Sequence, residues 1–279
     1  MYKFYSFNDN NVTAFERYSA WFSKPGVFND PFEGIYIDGT NTISDNEFIQ
    51  FCRNNKNNKQ LLDLFSIQTN IDSWLETIYL NGWAEKYKND IHDRNLDILK
   101  SLQSRFYCSG VCCFIMDIQS DPIKSNLMWG HYGNGLQGFA LEVTANPEDV
   151  FEESPIYSVV KYNDTPPIIN GAEIMMGMIK DDDSDISYES LELSFQLMNT
   201  KHTHWGYENE LRFISYKDGD KLIKYREGAI KSLFIGERMP RWQKIALYHI
   251  AKGHNINYIF EAYVNKESYA VGIRPFILP

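Results

Sequence analysis

The stretch that decides the fold is KHTHWGYENELRFISY, residues 201–216. Its second half, residues 211–216, is rich in β-branched and aromatic residues, which favour a strand on a pleated surface. If the strand begins near Glu208, the two-residue period places Glu208, Glu210 and Arg212 on one face. The stretch therefore predicts a strand with three charged side chains on one side, entered through an aromatic loop.

Comparable runs on both sides of this stretch predict the rest of the sheet. A strand, a short helix and a second strand are expected within the first 23 residues, and a structured loop follows. The other predicted strands cover residues 111–116, 138–143, 157–162, 222–226 and 230–235, and residues 257–264 and 269–276 read as a hairpin. Because these segments mostly follow one another directly, we expect a mixed, mostly antiparallel sheet.

Helical spacing interrupts the strands twice, at residues 44–106 and residues 172–200. A further helix is predicted after Pro240, which suits a first helical position, and Gly253 is expected to be its left-handed cap. No linker rich in proline, glycine or serine divides the chain. The sequence therefore predicts one α+β domain over residues 1–279 with two helical insertions.

Charge and cysteine content narrow the classes of function. The chain has 279 residues and a net charge of -10, and neither half is basic, so general phosphate neutralisation of nucleic acid is excluded as the main attraction. Four cysteines are too few for a disulfide scaffold and match no zinc-binding spacing. No apolar run approaches the roughly 18 residues of a membrane span. We expect a cytoplasmic protein that does not enter a membrane.

The charged face of the predicted strand has two interpretations. It can be a salt bridge on a solvated sheet surface. Alternatively, Arg212 can hold a half-buried Glu210 in its ionised form, because a nearby cation offsets the desolvation of a carboxylate. The aromatic residues that precede the strand suit the stacking of a planar ligand and favour the second interpretation.

Two further runs combine aromatic, turn-forming and polar residues: WFSKPGVFNDPFE at residues 21–33 and LMWGHYGNGLQG at residues 127–138. In the first run, Asn29 and Asp30 can shape a turn through their own backbone, so turn formation and ligand positioning both stay open. In the second run, His131 is either a structural histidine or an acid–base group. The glycines there do not form the GxGxxG pattern of a Rossmann fold.

Known catalytic motifs are missing from the chain. The sequence contains no P-loop, no GxSxG, no HExxH and no kinase signature. His202 and His204 could share a strand face as metal ligands, but no third ligand is evident near them. No metal is therefore expected.

Four blocks together resemble the bacterial domain-of-unknown-function family numbered 2971. They are YKFY at residues 2–5, WFS followed by FNDPFE within residues 21–33, MWGHY at residues 128–132, and the spaced residues between Lys201 and Arg212. The resemblance extends from about residue 2 to about residue 240, and it is specific through the order of the blocks. It implies no established reaction.

The arrangement of these blocks is also similar to the ADP-ribosyltransferase plan, in which a split mixed sheet opens a cleft for NAD. That similarity implies that NAD is the substrate and that its nicotinamide–ribose bond breaks through an oxocarbenium-like state. It implies Glu210 as the catalytic carboxylate, with Glu208 beside it and Arg212 fixing its charge. These expectations rest on an analogy between folds.

The same similarity assigns expected binding residues. Tyr5 and Ser23 are expected near the ribose and the nicotinamide, and Trp205 or Tyr207 is expected to form a stacking wall. The remaining residues expected to bind the NAD-like ligand are Asn29, Asp30, His131, Tyr132 and Lys201.

Three classes of function stay open. The first is an NAD-using transferase, such as a toxin or defence effector, with a protein or a nucleic acid as acceptor. The second is a non-catalytic regulatory module that binds a nucleotide or a protein partner, such as a sensor in phage defence. The third is a metal-dependent nuclease that uses Asp30, Glu33 and Glu208. No pattern in the sequence predicts an oligomeric state.

Overall fold

A computed structural model of the chain describes residues 1–39, 43–118, 121–170, 195–196, 198–216 and 219–278. Most of the second predicted helical insertion, residues 172–200, lies outside the described residues. The described helices are α1 (Asp9–Glu16), α2 (Asp45–Asn54), α3 (Lys59–Leu64), α4 (Ile71–Leu80), α5 (Ala84–Cys108), α6 (Asn126–His131) and α7 (Arg241–Gly253). The protein is an α+β protein, as the sequence predicts.

The described strands are β1 (Tyr2–Tyr5), β2 (Ser19–Phe22), β3 (Ile37–Asp38), β4 (Gly110–Ile115), β5 (Phe139–Val143), β6 (Ile156–Val159), β7 (Lys161–Asn163), β8 (Ile168–Ile169), β9 (Thr200–His202), β10 (Glu210–Ser215), β11 (Lys221–Lys224), β12 (Ile230–Gly236), β13 (Tyr258–Val264) and β14 (Val271–Pro275). Short 3₁₀ turns cover Pro25–Val27, Pro122–Lys124, Pro147–Asp149 and Thr203–Glu208.

An eight-stranded sheet has the order β14-β13-β12-β5-β1-β4-β10-β6. Strands β12 and β13 are parallel, and the other neighbouring pairs are antiparallel. The prediction of a mixed, mostly antiparallel sheet is therefore confirmed. Three two-stranded sheets, β11-β2, β3-β8 and β7-β9, complete the described pairings.

The chain divides into two compact units, and the first consists of residues 1–31, 107–162 and 201–279. Alternation along β1 supplies two hydrophobic clusters of this unit, because Phe4 belongs to the cluster that includes Trp129 of α6 and Tyr5 belongs to the other. The second cluster also contains Phe15 of α1 and Leu247 of α7. Apolar residues thus pack on both faces of the sheet, as its period of two allows.

The second unit consists of residues 32–106 and 163–200. Helices α2 to α5 lie in it, which agrees with the helical spacing predicted for residues 44–106. Ser44 caps α2 in a capping box with Glu47, so two backbone donors at the helix start are satisfied. The buried residues of α2 and α4 pack in one cluster around Trp74.

Two local predictions differ from the structure in detail. Gly253 is the last residue of α7 and not a left-handed cap; the left-handed residue is Asn255, with φ of 60°. Asparagine tolerates this conformation because its short polar side chain bonds locally. The predicted strand at residues 157–162 is divided into β6 and β7 at Val160, which is buried and donates its N–H to the Glu210 carbonyl.

Candidate functional site

The edge of β4 that faces β1 is only partly paired. Strands β1 and β4 pair at Tyr2 and Ile115. At the other end of β4, Val111 forms two backbone hydrogen bonds with Ser23, of 3.1 and 2.8 Å. Between these points the Lys3 ammonium donates a hydrogen bond of 3.1 Å to the Cys113 carbonyl oxygen. The segments that pair with β4 on this edge therefore separate near the middle of β4. There the Lys3 side chain is hydrogen-bonded to a backbone carbonyl of β4.

A cavity of about 150 Å³ lies beside this gap. Its walls combine apolar and charged side chains from β1, the loop after β2, β4, α6 and the segment from β9 to β10. The lining residues are Lys3, Phe4, Phe28, Asn29, Cys113, Ile115, Met128, Tyr132, Lys201, Glu208 and Glu210. A void of this size holds a single six-membered ring, as benzene-binding cavities of about 150 Å³ demonstrate.

Two glutamates on the cavity wall share one lysine. The Lys201 ammonium lies 3.0 Å from Glu208 Oε2 and 2.6 Å from Glu210 Oε2. Arg212 donates from Nε to Glu210 Oε1 at 2.8 Å. All four side chains are at most 6% exposed. Two carboxylates and two cations thus form one buried network. The charged residues are therefore not a salt bridge on a solvated sheet surface.

The surroundings of the two glutamates push their pKa values in opposite directions. Burial disfavours the charge of Glu210, but Arg212 and Lys201 outweigh burial and hold the pKa of this carboxyl well below its usual range. For Glu208, burial outweighs the attraction of Lys201, and the charge of Glu210 adds to it, so the pKa is raised. Carboxyl pairs with separated pKa values are a feature of acid–base sites.

Tyr132, which caps the C-terminus of α6, completes the hydrogen bonding of Glu208. Its hydroxyl donates to Glu208 Oε1 at 2.5 Å and is also hydrogen-bonded to the Asn29 side chain. Burial, together with the charge of Glu208, raises the pKa of Tyr132, so the hydroxyl stays protonated and remains a donor. The Cys113 thiol similarly hydrogen-bonds to Glu210, and burial raises its pKa.

The approach of Glu208 to Glu210 differs from the predicted strand geometry. Glu208 ends the 3₁₀ turn, and β10 begins only at Glu210. Asn209 between them is left-handed, with φ of 43° and ψ of 54°. The predicted extended arrangement of Glu208, Glu210 and Arg212 therefore holds for Glu210 and Arg212 only. Glu208 reaches the same network through the turn at Asn209.

Several residues that the sequence predicts for ligand binding lie away from the cavity wall. Tyr5 lies in the hydrophobic core, and its hydroxyl is 3.2 Å from that of Tyr225. Ser23 pairs with β4 through its backbone. Asp30 is buried but is not a lining residue, whereas its neighbour Asn29 is.

The predicted aromatic wall forms a group of its own. The His131 and Tyr207 rings stack at 6.2 Å, and Trp205 packs edge-on to His131 at 6.2 Å. Trp205 also lies over the Lys201 ammonium, 5.3 Å from its ring centroid. None of these three rings lines the cavity. Two contacts join this group to the cavity wall: Trp205 with Lys201, and His131 with Tyr132, whose ring centroids are 6.3 Å apart.

Sequence reasoning missed six lining residues: Lys3, Phe4, Phe28, Cys113, Ile115 and Met128. Lys3 was overlooked because a single lysine in a short strand carries no motif. Phe28 lies in the run at residues 21–33, where an aromatic side chain is equally typical of packing a loop against a sheet. Cys113 lies in an apolar strand, where a small thiol is typical of the core, and its hydrogen bond to Glu210 follows only from the pairing of β4 with β10.

In the described ranges, no group of three or more His, Cys, Asp and Glu side chains is arranged to hold a metal ion. His202 and His204 are exposed, and their rings are 4.3 Å apart. The helices in the described part of the chain include none with the length and apolar character needed to cross a membrane.

The comparison with known families agrees with the sequence. Residues 128–213 match the model of the family described as "Protein of unknown function (DUF2971)", which confirms the predicted family resemblance over that part of the chain. The matched region contains the residues of the buried network and Tyr132. No curated protein matches the chain, and no solved structure matches it.

Proposed function

We propose that the chain is an enzyme that cleaves the N-glycosidic bond of a pyridine nucleotide and transfers the ADP-ribosyl group to water or another acceptor. NAD is the substrate to test. The observation that carries the proposal is the presence of Glu208 and Glu210 on one cavity wall with pKa values shifted in opposite directions. A cavity that accepts one six-membered ring suits the nicotinamide end of NAD.

In the proposed reaction, the bond between ribose C1′ and the pyridinium nitrogen breaks, and its electron pair leaves with the nitrogen. The leaving nicotinamide is neutral and needs no proton. Positive charge develops on the ribose, and the ionised Glu210 stabilises it because Arg212 and Lys201 fix the carboxylate before the bond breaks. Water adds to C1′ and loses its proton to Glu208, whose raised pKa suits a general base.

The test is the release of nicotinamide from NAD by the purified protein, followed by chromatography. We expect Glu210→Gln to lower the rate by at least about 100-fold, and Glu208→Gln to lower it by a comparable factor. The matched control is Glu261→Gln, because Glu261 also pairs with a lysine and an arginine but does not line the cavity. Unchanged release by both cavity variants would contradict the proposal.

A second candidate is a non-catalytic module that binds a nucleotide or a protein partner. Two observations favour it: the cavity of about 150 Å³ is smaller than the roughly 300–1,000 Å³ of most ligand pockets, and two cations neutralise Glu210. This candidate predicts that NAD raises the melting temperature without release of nicotinamide, because a ligand of the folded state stabilises it by mass action.

The proposed cellular location is the cytoplasm. All four cysteines, Cys52, Cys108, Cys112 and Cys113, are free thiols. Free thiols are typical of proteins kept in a reducing compartment, which supports this location.

A further inference from the structure

Lys3 differs from the other cations of the site in its partners. Lys201 and Arg212 form ion pairs with the glutamates. The Lys3 ammonium instead bonds to the Cys113 carbonyl and to the Cys112 thiol. Tyr5 and Phe114 place their rings 5.5 and 5.6 Å from the same ammonium. In the described part of the chain, no carboxylate lies within ion-pairing distance of Lys3.

An ammonium group has three donors, and these two hydrogen bonds use two of them. Rings and a neutral thiol do not balance a full positive charge in a partly buried position. Lys3 also contributes to the cavity wall. A ligand with an anionic group would therefore gain a charge-assisted hydrogen bond there, and such bonds are among the stronger ones.

The sheet order separates this cation from the carboxylates. Lys3 comes from β1 on one side of β4, whereas Glu210 comes from β10 on the other side. The cavity therefore receives from β1 a cation without a carboxylate partner among the described residues, whereas Glu208 and Glu210 on the other side of β4 are already paired with Lys201 and Arg212. A ligand with a negative substituent therefore complements the Lys3 side of the cavity. On the ring type of the proposed function, a pyridine ring with a carboxylate, as in nicotinate nucleotides, carries such a substituent.

We infer that the cavity selects a pyridine ring that bears a carboxylate over one that bears a carboxamide, and that Lys3 is the specificity-determining residue. The inference rests on the proposed function for the type of ring and names the substrate class more closely. The competing role of Lys3 is purely structural, as a bridge between β1 and the unpaired carbonyl of β4. A structural role predicts no difference between the two ring types.

The experiment compares the binding of nicotinate and nicotinamide to the full chain by isothermal titration calorimetry. These probes share one ring and differ in one charge. We expect nicotinate to bind the wild-type protein roughly tenfold more tightly, the ratio that a single charge-assisted hydrogen bond supplies. Lys3→Met should reduce the ratio to near one, and Lys3→Arg should retain part of it because the positive charge remains.

The matched control is Lys231→Met. Lys231 is likewise a strand lysine whose ammonium bonds a backbone carbonyl, that of Gly228 at 2.8 Å, but it does not line the cavity. It should keep the wild-type ratio. The inference is overturned if the wild-type protein binds nicotinamide as tightly as nicotinate, if neither probe binds at millimolar concentration, or if Lys3→Met keeps the preference. Should Lys3→Met fail to fold, the wild-type ratio and Lys3→Arg decide.

The two proposals can fail separately. A preference for nicotinate without cleavage of NAD or of its nicotinate analogue would remove the proposed enzyme and leave the specificity of Lys3 in place. Cleavage of NAD with no preference between the probes would do the opposite. Comparing the cleavage rates of the two dinucleotides then adds a second measure of the same specificity.

Discussion

Arg212 is the fully buried residue on which the charge of Glu210 depends most strongly. Its side chain is 0% exposed, it bonds Glu210 at 2.8 Å, and its guanidinium lies 5.9 Å from the ring of Phe28 on the cavity wall. Removing one partner of such a buried pair leaves a buried charge with less compensation. Arg212 therefore links the stability of the protein to the ionisation of the site.

We predict that Arg212→Met lowers the free energy of unfolding by about 3–5 kcal/mol, the usual cost of breaking a buried ion pair from one side. The control is Arg274→Met, because Arg274 also pairs with a glutamate but is 56% exposed, and it should cost no more than about 1 kcal/mol. Urea unfolding followed by circular dichroism measures both. Equal costs for the two variants would show that the buried network does not stabilise the fold.

At the scale of elements, the junction between the 3₁₀ turn and β10 brings the glutamates together. The turn ends at Glu208, the left-handed Asn209 reverses the backbone, and Glu210 begins the strand. The N–H of Glu210 donates to the Tyr162 hydroxyl at 2.9 Å, which fixes the start of β10. A residue that cannot adopt the left-handed conformation at position 209 should therefore separate the two carboxylates.

We predict that Asn209→Val destabilises the protein by about 1–2 kcal/mol, because a β-branched side chain disfavours the left-handed backbone conformation. Asn209→Gly serves as the matched variant and should be nearly neutral, since glycine adopts this conformation freely. Thermal and urea unfolding test the pair. If Asn209→Val were as stable as Asn209→Gly, the junction would not require the conformation described here.

The elements also show what sequence patterns can and cannot predict. Strand β10 was predictable because the residues that follow Glu210 include the β-branched or aromatic Phe213, Ile214 and Tyr216. The left-handed conformation of the single residue before β10 was not predictable. Asparagine is common in turns of many kinds, and a strand can begin after any of them. The same ambiguity explains why the cap of α7 was assigned to Gly253 when Asn255 is the left-handed residue.

At the scale of the whole molecule, the cavity depends on contacts between segments that are distant in sequence. The α+β class and the mostly antiparallel sheet followed from local patterns. The position of β1 between β5 and β4 did not, although this order brings Lys3 to Cys113. The acidic chain, with a net charge of -10, also gave no sign of an unpaired lysine on a cavity wall.

The prediction of the site residues was limited in the same way, because the cavity is assembled from distant segments. The similarity to the ADP-ribosyltransferase plan implied roles for Glu208, Glu210 and Arg212, and the structure places these residues with Lys201 in one buried network. The stacking wall expected from Trp205 and Tyr207 lies beside the site and does not line the cavity. Charged residues close together in sequence were therefore easier to predict than a ligand surface assembled from five segments.

The central claim is that Glu208 and Glu210, which lie side by side on one cavity wall, have pKa values shifted in opposite directions from that of an ordinary carboxyl. A carbon-13 NMR titration of the glutamate side-chain carboxyls tests it most directly, with Glu208→Gln and Glu210→Gln used to assign the two signals. We predict that the Glu208 signal titrates above the ordinary glutamate value of about 4.3, because burial raises its pKa. The Glu210 signal should stay at the position of an ionised carboxyl down to the lowest pH at which the protein stays folded. The reason is that Arg212 and Lys201 outweigh burial and lower the pKa of Glu210. Two signals that both titrate near the ordinary value would contradict the account.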